Sequence, residues 1–228
     1  MKAVIFDLDG VITDTAEYHF LAWKRLADQL NISFDRDFNE RLKGISRSES
    51  LDMILVHGHV SAQYSEDAKQ DLMNEKNRYY QQLIQTLTPD NLLPGIRQLL
   101  SELKHQQIKL ALASASRNAP TILECLKIMD DFHTIVDPET LANGKPDPEI
   151  FLTAAKQLSV SPTDCIGIED AEAGIASIKS AGMFAVGVGN KQSMAAADLI
   201  VGETSDLSFT LLDNGMKQWR EKRNKIES

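Results

Sequence analysis

The sequence predicts an α/β fold: a doubly wound, Rossmann-like parallel sheet with a helical-bundle cap inserted after the first strand. Three observations lead there. Short apolar runs recur along the chain, Ala3 to Phe6, Lys109 to Ala113, Thr134 to Val136, Cys165 to Ile168, Phe184 to Val188 and Leu199 to Val201, and runs without polar alternation read as strands buried on both faces, hence parallel. Stretches of helical period separate the later runs, and such alternation builds a doubly wound sheet. Residues 15–89, by contrast, carry helical patterns and almost no strand signal, so they read as an inserted domain between core segments 1–14 and 90–228.

Each element has its own signature. The first run leads directly into Asp7-Leu8-Asp9-Gly10. Asp14 and Glu17 stand at capping-box spacing ahead of Trp23, Leu26, Ala27 and Leu30, which predict an amphipathic helix opening the insert. Leu72, Met73, Tyr79, Tyr80, Leu83 and Ile84 predict a later one that ends before Pro89, and Pro94-Gly95 marks the turn back into the core. There, Ile96, Leu99, Leu100 and Leu103, then Ile150, Phe151, Ala154 and Leu158, then Ile175 and Ile178 closed by Gly182, predict the crossover helices. The charged run from Lys217 to Ser228 reads as a solvated terminal helix.

Composition narrows the function. The 228 residues are 43% hydrophobic and carry 24 Lys plus Arg against 33 Asp plus Glu, a net charge of −9. That balance argues against nucleic acid as a partner, although local cations can still bind a small phosphate because fields are screened over about 8–10 Å at cellular salt. Cys125 and Cys165 are the two cysteines, the second inside an apolar stretch, which suits packed thiols in a reducing compartment. The apolar run at the N-terminus is too short for a signal segment or a membrane span. A cytoplasmic protein with no membrane contact is expected, and, with no coiled-coil heptad, a monomer.

Chemistry is written at the strand ends. Asp7 and Asp9 leave the carboxyl edge of the first strand one residue apart, where open α/β sheets bind ligands, and like charges so close call for a hard cation such as Mg²⁺. Gly10 permits a sharp turn with backbone close to an anion. A solvated acidic turn would explain the pair alone; a calcium loop would not, since the required glycine position is Ile12. Ala113-Ser114-Ala115-Ser116-Arg117-Asn118 offers hydroxyls and amides that could cradle phosphate or merely cap a helix. Lys145 sits in the stiff Lys145-Pro146-Asp147-Pro148 turn, and Glu169-Asp170 closes another strand with Gly174 in the helix that follows. Gly187-Val188-Gly189 is not a dinucleotide fingerprint, because the third glycine position is Gln192.

These four motifs, in this order and with a helical insert between the first two, resemble the haloacid dehalogenase superfamily over essentially the whole chain. The resemblance implies that Asp7 is a nucleophile forming an aspartyl phosphate and Asp9 a general acid/base. Ser114 and Lys145 would hold the transferring phosphate, with the Gly10 and Ala115 amides, and Asp7, Asp9 (through its carbonyl), Glu169 and Asp170 would form the magnesium site. An acid at position 9 suits an alkoxide leaving group rather than dehalogenation.

The insert narrows the likeness to sugar-phosphate mutases of that superfamily, through Asp14 to His19, Trp23, the Lys43-Gly44-Ile45-Ser46-Arg47 loop, Ser50 and the Ser114-Ala115-Ser116 run. Interconversion of β-glucose 1-phosphate and glucose 6-phosphate, primed by glucose 1,6-bisphosphate, is implied. Arg47 with Ser116, Arg117 and Asn118 would take the second phosphate, and His19 would couple to the acid/base. On residue type alone His19 is a packed histidine, and Lys76, near an apolar stripe, is a snorkelling lysine or a sugar contact. A sugar-phosphate phosphatase, with water as acceptor, keeps every core motif and stays the alternative; a non-catalytic phosphosugar sensor would have lost one.

Overall fold

In the computed structural model, which describes residues 1–42 and 45–226, the chain divides into two compact units. The sheet unit is Met1–Asp14 with Thr88–Ser228, and the helical unit is Thr15–Leu87. The return boundary falls two residues ahead of the predicted one. Thr88 already belongs to the sheet unit because it is bonded to Asn91, whose carbonyl in turn accepts the Thr13 hydroxyl at 2.7 Å. Lys43, Gly44 and the last two residues of the expected terminal helix lie outside the described residues.

In the sheet unit, six strands, β1 (Ala3–Phe6), β2 (Lys109–Leu112), β3 (Thr134–Ile135), β4 (Cys165–Glu169), β5 (Phe184–Val188) and β6 (Leu199–Val201), form one parallel sheet in the order β3-β2-β1-β4-β5-β6. Both neighbours of β1 are therefore crossover partners, and the direction of winding reverses at β1. That reversal opens a crevice at the carboxyl ends of β1, β2 and β4. β1 is wholly buried, as an unalternating apolar run requires.

The helices, numbered along the chain, are α1 (Ala16–Gln29), α2 (Arg36–Glu40), α3 (Arg47–His57) and α4 (Glu66–Ile84) in the helical unit. The sheet unit holds α5 (Ile96–His105), α6 (Ala119–Cys125), α7 (Glu149–Leu158), α8 (Glu172–Ser180) and α9 (Phe209–Ile226). Ile96, Leu99, Leu100 and Leu103 are all buried on α5, as their spacing predicts. Phe151, Ala154 and Leu158 of α7 and Ile175 and Ile178 of α8 share a core with Ile5 and Ala111 of the sheet.

The helical unit has its own core, in which Trp23, Leu26 and Ala27 of α1 meet Phe34, Phe38, Leu51, Ile54 and Leu55. One local expectation is corrected there. Thr15, not Asp14, is the N-cap of α1, and its own side chain makes no capping hydrogen bond. Glu17 pairs instead with the two terminal guanidinium nitrogens of Arg36, at 2.7 and 2.9 Å, and the Thr15 hydroxyl accepts from Tyr80 at 3.1 Å. Both cysteine thiols are free, and burial pushes that of Cys165 up to about 12. No described helix is long and apolar enough to cross a membrane.

Candidate active site

Two polar clusters stand out, one in each unit. In the sheet unit the parallel register aligns Phe6 with Ile168, and the Asp7 amide donates to the Ile168 carbonyl at 3.0 Å, so Asp7 and Glu169 leave adjacent strands side by side. Lys145 reaches them from the loop before α7. Its Nζ donates to Asp7 Oδ1 and to Glu169 Oε1, both at 2.6 Å. Glu169 Oε2 accepts the amides of Asp170 and Ala171, each at 2.9 Å, so this buried carboxylate orients both the lysine and the start of the next loop.

The turn after β1 places Asp9 and Gly10. Gly10 has φ +73°, and a Cβ there would lie 2.0 Å from Asp170 Oδ2, so only glycine fits. Its amide donates to the Thr13 carbonyl at 2.8 Å, which closes the turn. A Cβ on Gly174 would fall 1.9 Å from the Glu169 carboxyl, so α8 can pack against that carboxylate only because position 174 has no side chain.

The electrostatics follow from crowding. Burial pushes the Asp7 carboxyl well above the usual carboxylate range against the pull of Lys145, and Glu169 and Asp9 push the same way. Asp170 is open to solvent along one side, but its carboxyl is sunk in the cluster; burial, then the charges of Glu169 and Asp9, push it up to about 7. For Lys145 burial pulls downward, yet the carboxylates of Asp7 and Glu169 more than offset it and the ammonium is held charged. Oxygens of Asp7, Glu169 and Asp170 lie within 4.8 Å of one another. One internal cation among three carboxylates leaves room for a second, and an all-oxygen donor set suits a hard ion such as Mg²⁺.

The loop after β2 brings Ser114 and Ser116 to the same edge of the sheet. Ser114 is buried; its Oγ accepts the Ser116 amide at 3.1 Å, and Ser116 Oγ accepts the Asn118 amide at 3.3 Å. Each hydroxyl keeps its proton to donate. Asn118 is buried, Ala115 is exposed, and the exposed Arg117 is bridged to Glu139.

The cluster in the helical unit is basic. Lys76 on α4 is 3% exposed, its Nζ 3.0 Å from His19 Nδ1 on α1 and over the rings of Trp23 and Tyr80, at 4.6 and 4.9 Å. Burial, then Arg47, lower Lys76 to about 7; burial, then Lys76 and Arg47, hold His19 well below its ordinary value. Lys76 Nζ and His19 Nδ1 thus share one hydrogen bond whose direction is set by the imidazole tautomer. Arg47 at the start of α3 donates to Asn77 Oδ1 at 3.0 Å. Ser46 caps α3 in a reciprocal capping box with Glu49, Ile45 is exposed and Ser50 is buried.

His19, Trp23, Arg47 and Lys76 thus share one neighbourhood, as do Asp7, Lys145, Glu169 and Asp170. Asn77, Tyr80, Thr15 and Gly174 were not singled out from the sequence as supports. For Tyr80 a signal existed: it stands at i+4 from Lys76, on the same face of α4.

A family model for haloacid dehalogenase-like hydrolases matches residues 1–182. β-Phosphoglucomutase of Bacillus subtilis is 66% identical over 220 residues, covering 96% of this chain and 97% of that protein. A phosphorylated carbohydrates phosphatase of Thermotoga maritima is 34% identical over 80% of this chain and 82% of its own. Among solved structures, a crystal structure of β-phosphoglucomutase from Clostridium difficile superposes with a TM-score of 0.90 at 50% identity, covering 96% of this chain and 98% of the other.

Proposed function

Because the chain belongs to the haloacid dehalogenase-like hydrolase family, we infer that it is a β-phosphoglucomutase, an isomerase that interconverts β-glucose 1-phosphate and glucose 6-phosphate. The likeness to the Bacillus subtilis enzyme, which runs through both units, carries this reading. The buried Asp7–Lys145–Glu169 arrangement supplies the chemistry it needs.

In this reading Asp7 attacks the phosphorus of glucose 1,6-bisphosphate. The Asp7 O–P bond forms while the bond from phosphorus to the sugar oxygen breaks, and Asp9 gives that oxygen its proton. In the second half Asp9 takes the proton of the 6-hydroxyl of β-glucose 1-phosphate, whose oxygen then accepts the phosphoryl group from Asp7. Charge spreads over the equatorial oxygens of the transferring group, where Lys145, the Ser114 hydroxyl and the Ala115 amide stabilise it; the Gly10 amide, expected to join them, is taken by the Thr13 carbonyl instead. Asp7, Asp170 and the Asp9 carbonyl are the residues to hold Mg²⁺, with Glu169 beside them. The ion, when bound, offsets the repulsion between the Asp7 carboxylate and an incoming phosphate dianion.

A bisphosphate intermediate must bind in either orientation, so a second anion site is needed. Arg47 and Lys76 in the helical unit, and Ser116, Arg117 and Asn118 in the sheet unit, are the candidates for the second phosphate and the sugar. Binding there requires Arg117 to exchange Glu139 for the anion. The two free thiols suit a cytoplasmic enzyme, which we take to act as a monomer.

A coupled assay tests the reading. With Mg²⁺ and β-glucose 1-phosphate, glucose 6-phosphate should rise when catalytic glucose 1,6-bisphosphate is added, with free phosphate far behind, and chelation of the metal should stop it. Free phosphate leading glucose 6-phosphate would mark a phosphatase instead, the activity named for the Thermotoga maritima relative.

A further inference from the structure

Lys145 bonds two carboxylates at once, yet its backbone belongs to a loop with no helix or strand between Leu141 and Pro148. A lysine side chain is long and rich in rotamers, so the ammonium can be placed only as accurately as the backbone that bears it. Two side chains outside the catalytic set fix that backbone, one on each side of Lys145.

On the N-terminal side the Glu149 carboxylate, at the first turn of α7, accepts the amide of Ala142 at 3.1 Å and that of Asn143 at 2.8 Å. On the C-terminal side the Ser177 hydroxyl, on α8, donates to the Asp147 carbonyl at 2.6 Å. Asp147 closes the arrangement. Its amide donates to the Gly144 carbonyl at 3.0 Å, and its Oδ1 accepts the Glu149 amide at 2.9 Å. Ser177 is fully buried and stands three residues after Gly174, hence on the face of α8 that admits the Glu169 carboxylate. One helix face therefore aligns both the carboxylate and the loop of the lysine that bonds it.

We propose that Glu149 and Ser177 are positioning residues that set the Lys145 ammonium between Asp7 and Glu169 by holding its loop at residues 142–143 and 147. Neither touches the reacting groups. The proposal rests on the reading above that Lys145 stabilises the transferring phosphoryl group. A group acting through Lys145 on transition-state charge lowers kcat and leaves substrate affinity in place.

The test is a double-mutant cycle on the full-length enzyme, with Mg²⁺, β-glucose 1-phosphate and catalytic glucose 1,6-bisphosphate. Lys145→Ala should lose about a hundredfold or more in kcat. Glu149→Ala should lose about tenfold and Ser177→Ala about threefold, with KM within about twofold of wild type. Glu149→Asp, which keeps both acceptors on a shorter arm, should recover part of the loss. The decisive result is non-additivity: in the Lys145→Ala background, Glu149→Ala and Ser177→Ala should cost almost nothing more in kcat. Full additivity, or single variants with wild-type kcat, would overturn the positioning role while leaving that of Lys145 intact. Wild-type kcat in Lys145→Ala would instead refute the assigned role of the lysine, and the positioning with it. Alanine is a favourable helix residue, so Ser177→Ala should fold and decide the matter even if Glu149→Ala is destabilised.

Discussion

Burial acts with opposite sign on the two polar clusters. In the sheet unit it works on carboxyls and pushes Asp7 and Asp170 upward; in the helical unit it works on bases and pulls Lys76 and His19 downward. The clusters also differ in how they are balanced. The carboxylates have Lys145 among them, bonded to two at once. The Lys76 ammonium has a neutral imidazole and two ring faces, contacts that polarise but do not neutralise it. An acid cluster with one internal cation suits a metal, and a buried ammonium beside Arg47 suits an anionic ligand. A phosphoryl-transfer enzyme for a doubly phosphorylated sugar needs both.

Removing the acid side should cost most. Asp7→Asn should lose at least about a thousandfold in kcat, with no acid-labile phosphate on the protein after incubation with glucose 1,6-bisphosphate. Asp9→Asn should lose about 10²–10⁴-fold and still bind a beryllium fluoride mimic of the aspartyl phosphate, since the nucleophile and its cations are untouched. A Asp7→Asn variant that still became phosphorylated would move the nucleophile elsewhere and break the contrast at its first term.

The basic side should cost less. Arg47→Ala should lower mutase turnover by about ten- to a hundredfold, while phosphorylation of Asp7 by a small donor such as acetyl phosphate proceeds near the wild-type rate. An equal loss in both reactions would mean that Arg47 serves the acid cluster rather than a second phosphate. Gly174→Ala is a milder probe of the sheet unit. Its new methyl must displace the Glu169 carboxyl, so about 1–3 kcal/mol of stability and some activity should go together, read by thermal melts and kcat.

How far these clusters were legible from sequence differs between the units for a physical reason. The central strands could be read almost residue by residue, since β-strands buried on both faces are unbroken apolar runs. The clustered carboxylates could be read too, because Asp7 and Glu169 follow or end such runs directly. The supports could not. Ser177 meets Asp147 across 30 residues, and the glycine at 174 matters only because Glu169 folds against it. Glu17 looked like half of a capping box, and pairing with Arg36 on α2, which no local pattern specifies, took it away. Lys76 could be placed near an apolar stripe and expected to snorkel. It does not, because α1 and α4 pack closely enough for Trp23, His19 and Tyr80 to enclose the ammonium.

That enclosure yields the smallest and most specific expectation. With Lys76 at about 7 in the folded chain and near its ordinary 10.5 unfolded, both states are protonated below pH 7 and the burial penalty is present in full. Between pH 7 and 10.5 the unfolded state binds more protons, so stability rises with pH until the penalty is gone. At about 1.4 kcal/mol per pH unit the penalty is at most ~5 kcal/mol, and the His19 bond and the two ring faces return part of it. Lys76→Met should therefore melt higher than the wild type at pH 6, by about 1–3 kcal/mol, and the gap should narrow toward pH 10. The same variant should lose mutase turnover. A gap that did not change with pH would mean that the ammonium is as well solvated in the fold as in water, and the contrast between the two clusters would then reduce to the carboxylates alone.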